Sequence, residues 1–282
     1  MVKIVETLTT VTDPEFTPKR RHVMLESERL ILNGAHGDAL VLNKLNPASA
    51  GAPTIVFLPG YRSDRSGGKA IHVEVVCQRK GWGSVRLDYH AHGESPGDFL
   101  AGSISRWTNN VLDVIDQVTD GPLILVGSSM GGWIMLRAAI ARSARVKALL
   151  GLAAAADFTQ DLMLPTLSKG EREQLRDQGY IAQPTTYSDE PYLVTQHLLD
   201  DGADCLVLPD GIAFEGPVTL VHGLLDADVP LSTAMQTMEA LSAADVYLKI
   251  IKDAGHRLSR ESDLAVVEAE LIHLAIRAGF EV

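Results

Sequence analysis

Cysteine is scarce in this chain: Cys77 and Cys205 are the only two among 282 residues. Two thiols so far apart make no disulfide framework and match no zinc-ligand spacing. They are compatible with a reducing compartment, and Cys77, in an apolar helical stretch, reads as core. An excess of positive charge is also missing. Lys and Arg number 25 against 36 Asp and Glu, a net charge of -11. That balance argues against a nucleic-acid backbone and against docking on anionic lipid. No run of about 20 apolar residues occurs, so neither a membrane span nor stable membrane association is expected. Met1 to Glu6 carries an early acidic residue, with no apolar signal core and no Arg-rich transit character. A cytoplasmic protein is the expectation. Internal repeats and low-complexity tracts are absent too.

What the chain does have is apolar content, at 46%. That suffices for a single large α/β domain over residues 1–282. Residues 1–20 read as a loosely held arm, and 21–32 with 38–45 as a strand pair around Asn33-Gly34-Ala35-His36-Gly37. Short apolar strands follow at 54–58, 84–89, 123–125, 146–153, 218–223 and 246–251. Helical spacing occupies 69–80, 104–119, 133–140, 232–241 and 263–278. Strands alternating with helices predict a mostly parallel, doubly wound sheet of about eight strands with helices on both faces. At Asp157 the rhythm breaks, and it resumes at Val218. Residues 157–216 hold several prolines and two helical candidates, 169–177 and 190–201, and read as a small lid inserted in the domain.

The centre of the pattern is Val126-Gly127-Ser128-Ser129-Met130-Gly131-Gly132, behind the strand Leu123-Ile124-Leu125 and ahead of an apolar helix. A Gly-x-Ser-x-Gly at a strand-to-helix junction is the nucleophile elbow of the α/β-hydrolase fold. A serine hydroxyl needs a base. His256 follows a late strand in Ala254-Gly255-His256, and Asp226 lies in the loop after the preceding strand, three residues past Gly223. The order Ser…Asp…His is the one this fold uses. Asp228 is a rival for the acid. Asp253 reads as a turn residue, and His222 as a buried strand-end residue bracing the acid loop.

The oxyanion donors expected are the backbone amides of Met130 and of Tyr61, after Pro59-Gly60. Tyr61, Leu162, Met163, Leu164, Tyr192 and Leu225 are the candidate substrate contacts. Metal and cofactor patterns fail on inspection. In Gly67-Gly68-Lys69-Ala70, alanine replaces the hydroxyl a phosphate loop needs. Gly81-Trp82-Gly83 runs into a strand, with Arg86 where a dinucleotide pattern has its last glycine. His90-Ala91-His92 with Glu94 lacks further ligands at metal spacing. That loop reads as structure beside the site, and neither metal nor cofactor is expected.

With these residues placed, the chain resembles the α/β-hydrolase superfamily along nearly its whole length. Leu58-Pro59-Gly60-Tyr61, Asp88-Tyr89 with Gly93 and Ser95, Gly121-Pro122, Val126 to Trp133, Ala138 to Arg142 and Gly255-His256-Arg257 carry a closer likeness. So do Tyr187 and Tyr192 in the lid. They resemble the family of the mitochondrial palmitoyl-protein thioesterase, whose members also cleave acyl glucuronides. The resemblance implies a serine esterase or thioesterase with Ser129 as nucleophile, Asp226 as acid and His256 as base. The chain departs from that family at His90-Ala91-His92. The partner expected is therefore a small-molecule acyl ester or thioester, cleaved through a covalent acyl-enzyme. Amide or carbon–carbon bond hydrolysis on the same fold stays open beside it, as does a non-catalytic binding role.

Overall fold

The computed structural model describes residues 27–185 and 189–282. The arm expected over 1–20, the start of the first expected strand and Tyr187 lie outside the described residues. The chain opens with an antiparallel pair, β1 (Glu28–Asn33) and β2 (Ala39–Leu45). β3 (Thr54–Leu58), α1 (Gly68–Lys80), β4 (Gly83–Leu87), α2 (Ile104–Val118), β5 (Leu123–Ser128), α3 (Met130–Ala141) and β6 (Val146–Leu152) follow in alternation. A long excursion, described below, then leads to β9 (Val218–Gly223), α7 (Leu231–Ala240), β10 (Val246–Ile251) and α8 (Glu261–Arg277).

The eight-stranded sheet runs β1-β2-β4-β3-β5-β6-β9-β10. β2 pairs with β4 antiparallel, and every later neighbour is parallel. This is the α/β-hydrolase fold expected from the alternating pattern. Its central strands are apolar on both sides because both faces are covered. Val56 and Leu58 of β3 join the residues under α2 and α3, including Trp107, Val111, Trp133 and Ile134. Ile55 and Phe57, one residue out of phase, face Val73 and Val76 of α1 and Val267, Leu271 and Leu274 of α8. Cys77 lies in that second layer, fully buried.

Because β3, β4, β5, β6, β9 and β10 run parallel, their carboxyl ends open on one edge of the sheet. In open α/β sheets that edge is where ligands bind. The loop after β4 is braced there by a buried carboxylate. Asp88 accepts from the amides of Arg65 (2.7 Å) and Glu94 (2.9 Å) and pairs with the Arg65 guanidinium. Ser95 Oγ donates to the Asp88 carbonyl and accepts from the Val41 amide, both at 2.8 Å, tying this loop to β2. Trp107 of α2 donates its indole N–H to the His90 carbonyl at 3.2 Å.

The excursion between β6 and β9 carries its own small core. It begins with a wide turn of helix at Thr159–Met163 and a short helix α4 (Leu164–Thr166). Then come α5 (Lys169–Gln178), the antiparallel pair β7 (Tyr180–Gln183) and β8 (Tyr192–Thr195), and α6 (Gln196–Ala203). Leu167, Leu175, Ile181, Val194 and Leu199 pack together inside it. The helix expected at 169–177 is α5, held by a reciprocal capping box between Ser168 and Glu171.

The helix expected over 190–201 is a correction. Tyr192-Leu193-Val194-Thr195 is aromatic and β-branched and finds its backbone partners on β7. Helix starts only where the Thr195 hydroxyl caps the Leu198 amide at 2.9 Å. Both feet of the excursion meet at Asp157. Its buried carboxylate accepts from the amides of Val207 (3.0 Å) and Leu208 (2.9 Å).

Asp88 provides a stability test. Asp88→Ala takes the buried partner from the Arg65 guanidinium, leaving it Glu94 and Asn43, and unpairs two loop amides; it is expected to cost about 3–5 kcal/mol. The check is the urea midpoint against the parent protein; a shift below about 1 kcal/mol contradicts this account of the loop.

Candidate active site

Between β5 and α3 the chain reverses direction at a single residue. Ser129 has φ 54 and ψ -122, in the left-handed half of backbone space that residues with a Cβ avoid. The reversal is held from three sides. The Ser129 amide donates to the Leu152 carbonyl at 3.0 Å, and the Ser129 carbonyl accepts from Gly132 (2.8 Å) and Ala155 (3.1 Å). It also needs close backbone approach. A Cβ on Gly127 would run into the backbone of Gly131 and Gly132, and one on Gly131 into the carbonyls of Leu58 and Pro59. The spacing of glycines around the serine is thus a packing requirement of this turn.

Two loops bring partners to the hydroxyl. His256 Nε2 lies 3.0 Å from Ser129 Oγ, and His256 Nδ1 lies 2.9 Å from Asp226 Oδ2. The side chains of Ser129, His256 and Asp226, far apart in sequence, therefore form one hydrogen-bonded line. The other Asp226 oxygen accepts from the amides of Asp228 (3.0 Å) and Val229 (2.9 Å). Burial works to push the Asp226 carboxyl up. The bonds from His256 and these two amides outweigh it and hold the group below the ordinary carboxylate range. It is thus a carboxylate at neutral pH, and it orients the Nδ1–H of the imidazole.

The rival acid, Asp228, is exposed, and its carboxylate belongs to a close trio with Asp226 and His256. Its backbone amide, by contrast, supports Asp226. Asp253 pairs with Arg260 at 3.0 Å. His222 is fully buried at the end of β9, where Nε2 donates to the Val229 carbonyl at 2.9 Å and holds the acid loop.

A cavity of about 620 Å³ opens over Ser129. Met130 and Tyr61 line it, as do Leu162, Met163 and Tyr192 from the excursion. The Tyr61 ring sits edge-on to Phe99, Trp107, Phe158 and Tyr192 with centroids 5.3–6.4 Å apart, and its hydroxyl donates to the Leu193 carbonyl. Burial pushes that phenol well above its usual range, so it stays protonated. Met130 opens α3, so its amide has no intrahelical acceptor.

A profile of the alpha/beta hydrolase family matches residues 55–269. The human mitochondrial palmitoyl-protein thioesterase ABHD10 is 37% identical over 219 residues, spanning 77% of this chain and 71% of that one. The chain belongs to the alpha/beta hydrolase family. Two solved structures superpose closely on this hydrolase. One, assigned as a hydrolase from Agrobacterium vitis S4, has TM-score 0.84 and 36% identity, covering 89% of this chain and 98% of that one. The other, mouse alpha/beta hydrolase domain-containing protein 10, has TM-score 0.81 and 31% identity, covering 89% and 99%. The resemblance read from the sequence motifs is borne out. ABHD10 carries a mitochondrial location in its name, so the expected cytoplasmic location draws no support from it. Among the described residues, no helix is long and apolar enough to cross a membrane.

Two expected substrate contacts of this hydrolase lie outside the cavity lining. Leu164 is not among the residues lining the cavity; it packs on the small core of the excursion. Leu225 is 65% exposed, because its amide is taken by the Ala254 carbonyl (2.9 Å) and the turn carries its side chain outward. Other residues at the cavity escaped the sequence reading, among them Arg62, Lys69, Phe158, Gln183 and Arg257. In the sequence Lys69 stands in the failed phosphate-loop pattern and at the head of the helical stretch 69–80. It reaches back to donate from Nζ to the Arg257 carbonyl at 2.5 Å, beside His256. Burial brings its ammonium down to about 8, opposed by Asp226 and Asp263 and reinforced by Arg257.

This displacement has a sign. Between pH 8 and 10.5 the unfolded chain keeps a proton that the native lysine has lost, so folding becomes more favourable as pH rises. Lys69→Met removes that increment. Urea midpoints measured from pH 7.5 to 10 are expected to rise in the parent relative to the variant; parallel curves contradict the assignment.

Proposed function

We propose that this hydrolase cleaves small-molecule carboxylic thioesters and esters through a covalent acyl-enzyme on Ser129. The observation that carries the reading is the unbroken line from Ser129 Oγ through His256 to Asp226, at 3.0 and 2.9 Å. His256 Nε2 takes the hydroxyl proton as Oγ attacks the acyl carbon. Asp226 holds the Nδ1–H tautomer and stabilises the imidazolium that forms. The tetrahedral oxyanion receives the amides of Tyr61 and Met130; one such donor contributes roughly 100- to 1000-fold in rate. The C–S or C–O bond then breaks, and the leaving group departs with the proton from Nε2. Water, deprotonated by the same nitrogen, releases the carboxylic acid and frees Ser129.

Residues 157–216 act in this reading as a lid within one domain. Tyr61, Leu162, Met163 and Tyr192 form the acyl contacts. The names of the thioesterase relatives support the substrate class, and the apolar residues around the cavity suit an acyl chain. A nucleic acid or a membrane does not enter the mechanism, and no step calls for a metal or cofactor.

Ser129→Ala should abolish hydrolysis of acyl thioesters and p-nitrophenyl esters while leaving the thermal midpoint close to the parent's. Intact-mass spectrometry of the parent should trap one acyl group, and a fluorophosphonate probe should label Ser129. Turnover persisting in Ser129→Ala, or acyl mass on another residue, refutes the mechanism. Asp226→Asn, which preserves shape but presents the wrong hydrogen-bonding partner, is expected to lower kcat by roughly ten-thousand-fold. A loss under about tenfold in steady-state assays would return the acid role to Asp228.

A further inference from the structure

We propose that His92 is a positioning residue for the oxyanion hole, its imidazole fixing the turn that presents the Tyr61 amide. The inference rests on the acyl transfer proposed at Ser129, whose proton transfers make no use of this side chain.

His92 lies in the loop after β4, only 3% exposed. Its ring is enclosed by Trp107, Phe99 and Tyr89, with centroids at 5.1, 5.4 and 5.5 Å. Nδ1 sits 3.0 Å from the His90 carbonyl oxygen, the same oxygen that accepts the Trp107 indole N–H. A carbonyl can only accept, so Nδ1 carries the proton and Nε2 presents a lone pair. That lone pair receives the backbone N–H of Arg62 at 3.2 Å. Burial brings the imidazole down to about 4, so Nε2 remains an acceptor across the neutral range.

The bond matters because of where Arg62 is. It follows Tyr61 directly and has φ 59, a left-handed conformation that a side chain disfavours. Such a residue persists only where its surroundings hold it. The Ser63 amide closes the turn on the Gly60 carbonyl at 3.0 Å, joining its two ends without fixing its tip. The Tyr61 hydroxyl is anchored on β8, part of the excursion. His92 ties the tip instead to the body of the domain, through α2. The Tyr61–Arg62 peptide shares the Tyr61 Cα with the Gly60–Tyr61 peptide that carries the Tyr61 N–H, so fixing the first limits how the second can turn, and an oxyanion donor is effective only within a narrow range of distance and angle. The loop at 90–92 therefore reaches into the chemistry by way of the backbone.

His92→Phe keeps an aromatic ring among Tyr89, Phe99 and Trp107 and removes the acceptor. The expected result is a fall in kcat of about 10- to 100-fold with KM changed less than about threefold. Affinity for an alkyl trifluoromethyl ketone, which forms a tetrahedral oxyanion on Ser129, should fall in parallel, while inhibition by the product carboxylate stays unchanged. His92→Gln, whose amide oxygen reaches nearly as far as Nε2, should recover part of kcat and of ketone affinity. If His92→Phe fails to fold, His92→Asn, polar but too short to reach Arg62, takes its place with the same expected loss. Parent-like kcat and ketone affinity in the folded Phe or Asn variant overturns the proposal. So does equal weakening of ketone and product binding with no recovery in Gln, which marks packing alone. Fluorophosphonate labelling of parent Ser129 keeps the two readings apart. With labelling present, a neutral His92→Phe removes only the positioning role; without labelling, the acyl-transfer reading fails first.

Discussion

The constraint on which this structure depends is steric: a strand and a helix meet so closely at Ser129 that the backbone leaves no room for side chains beside it. Gly127 and Gly131 are both pressed against main-chain atoms, and Ser129 is left in a conformation that costs energy. Three backbone hydrogen bonds, to Leu152, Gly132 and Ala155, hold it there. The turn lifts the hydroxyl to the carboxyl edge of the sheet, and it sets the first amide of α3 beside the hydroxyl. A developing negative charge would meet that amide and the helix N-terminus together.

A parallel sheet solves the remaining problem of bringing distant residues to one edge. The ends of β9 and β10 deliver Asp226 and His256 to the same side as Ser129 without any long connection. The carboxylate can be buried there because the turn after β9 supplies two backbone donors and His256 a third. His222 secures that turn from beneath through the Val229 carbonyl. The polar machinery is thus built on loops whose positions are imposed by the packed strands below them.

Polar side chains at the rim serve mostly to hold loops. Asp88 with Arg65 braces the segment after β4, and Lys69 reaches across to the carbonyl next to His256. Asp157 gathers both feet of the excursion. An acidic protein thus keeps several buried or half-buried charges near one cavity, each matched to backbone groups or an opposite charge, as low-dielectric surroundings require.

The chain's own order of residues determined the architecture: alternation of apolar strands with amphipathic helices requires a covered parallel sheet, and Gly127-x-Ser129-x-Gly131 at a strand end requires the sharp turn. Asp226 and His256 were legible because each follows a strand, and strand ends in such a sheet share an edge. Tertiary structure alone decided the rest. Tyr192 to Thr195 became a strand because β7 offered backbone partners, a contact absent from local spacing. Leu164 packs on the small core of the excursion and Leu225 stands exposed, so neither lines the cavity. Lys69 and His92 acquired their surroundings from segments distant in sequence, and no local pattern records which carbonyl or amide a folded chain will place within reach of a side chain.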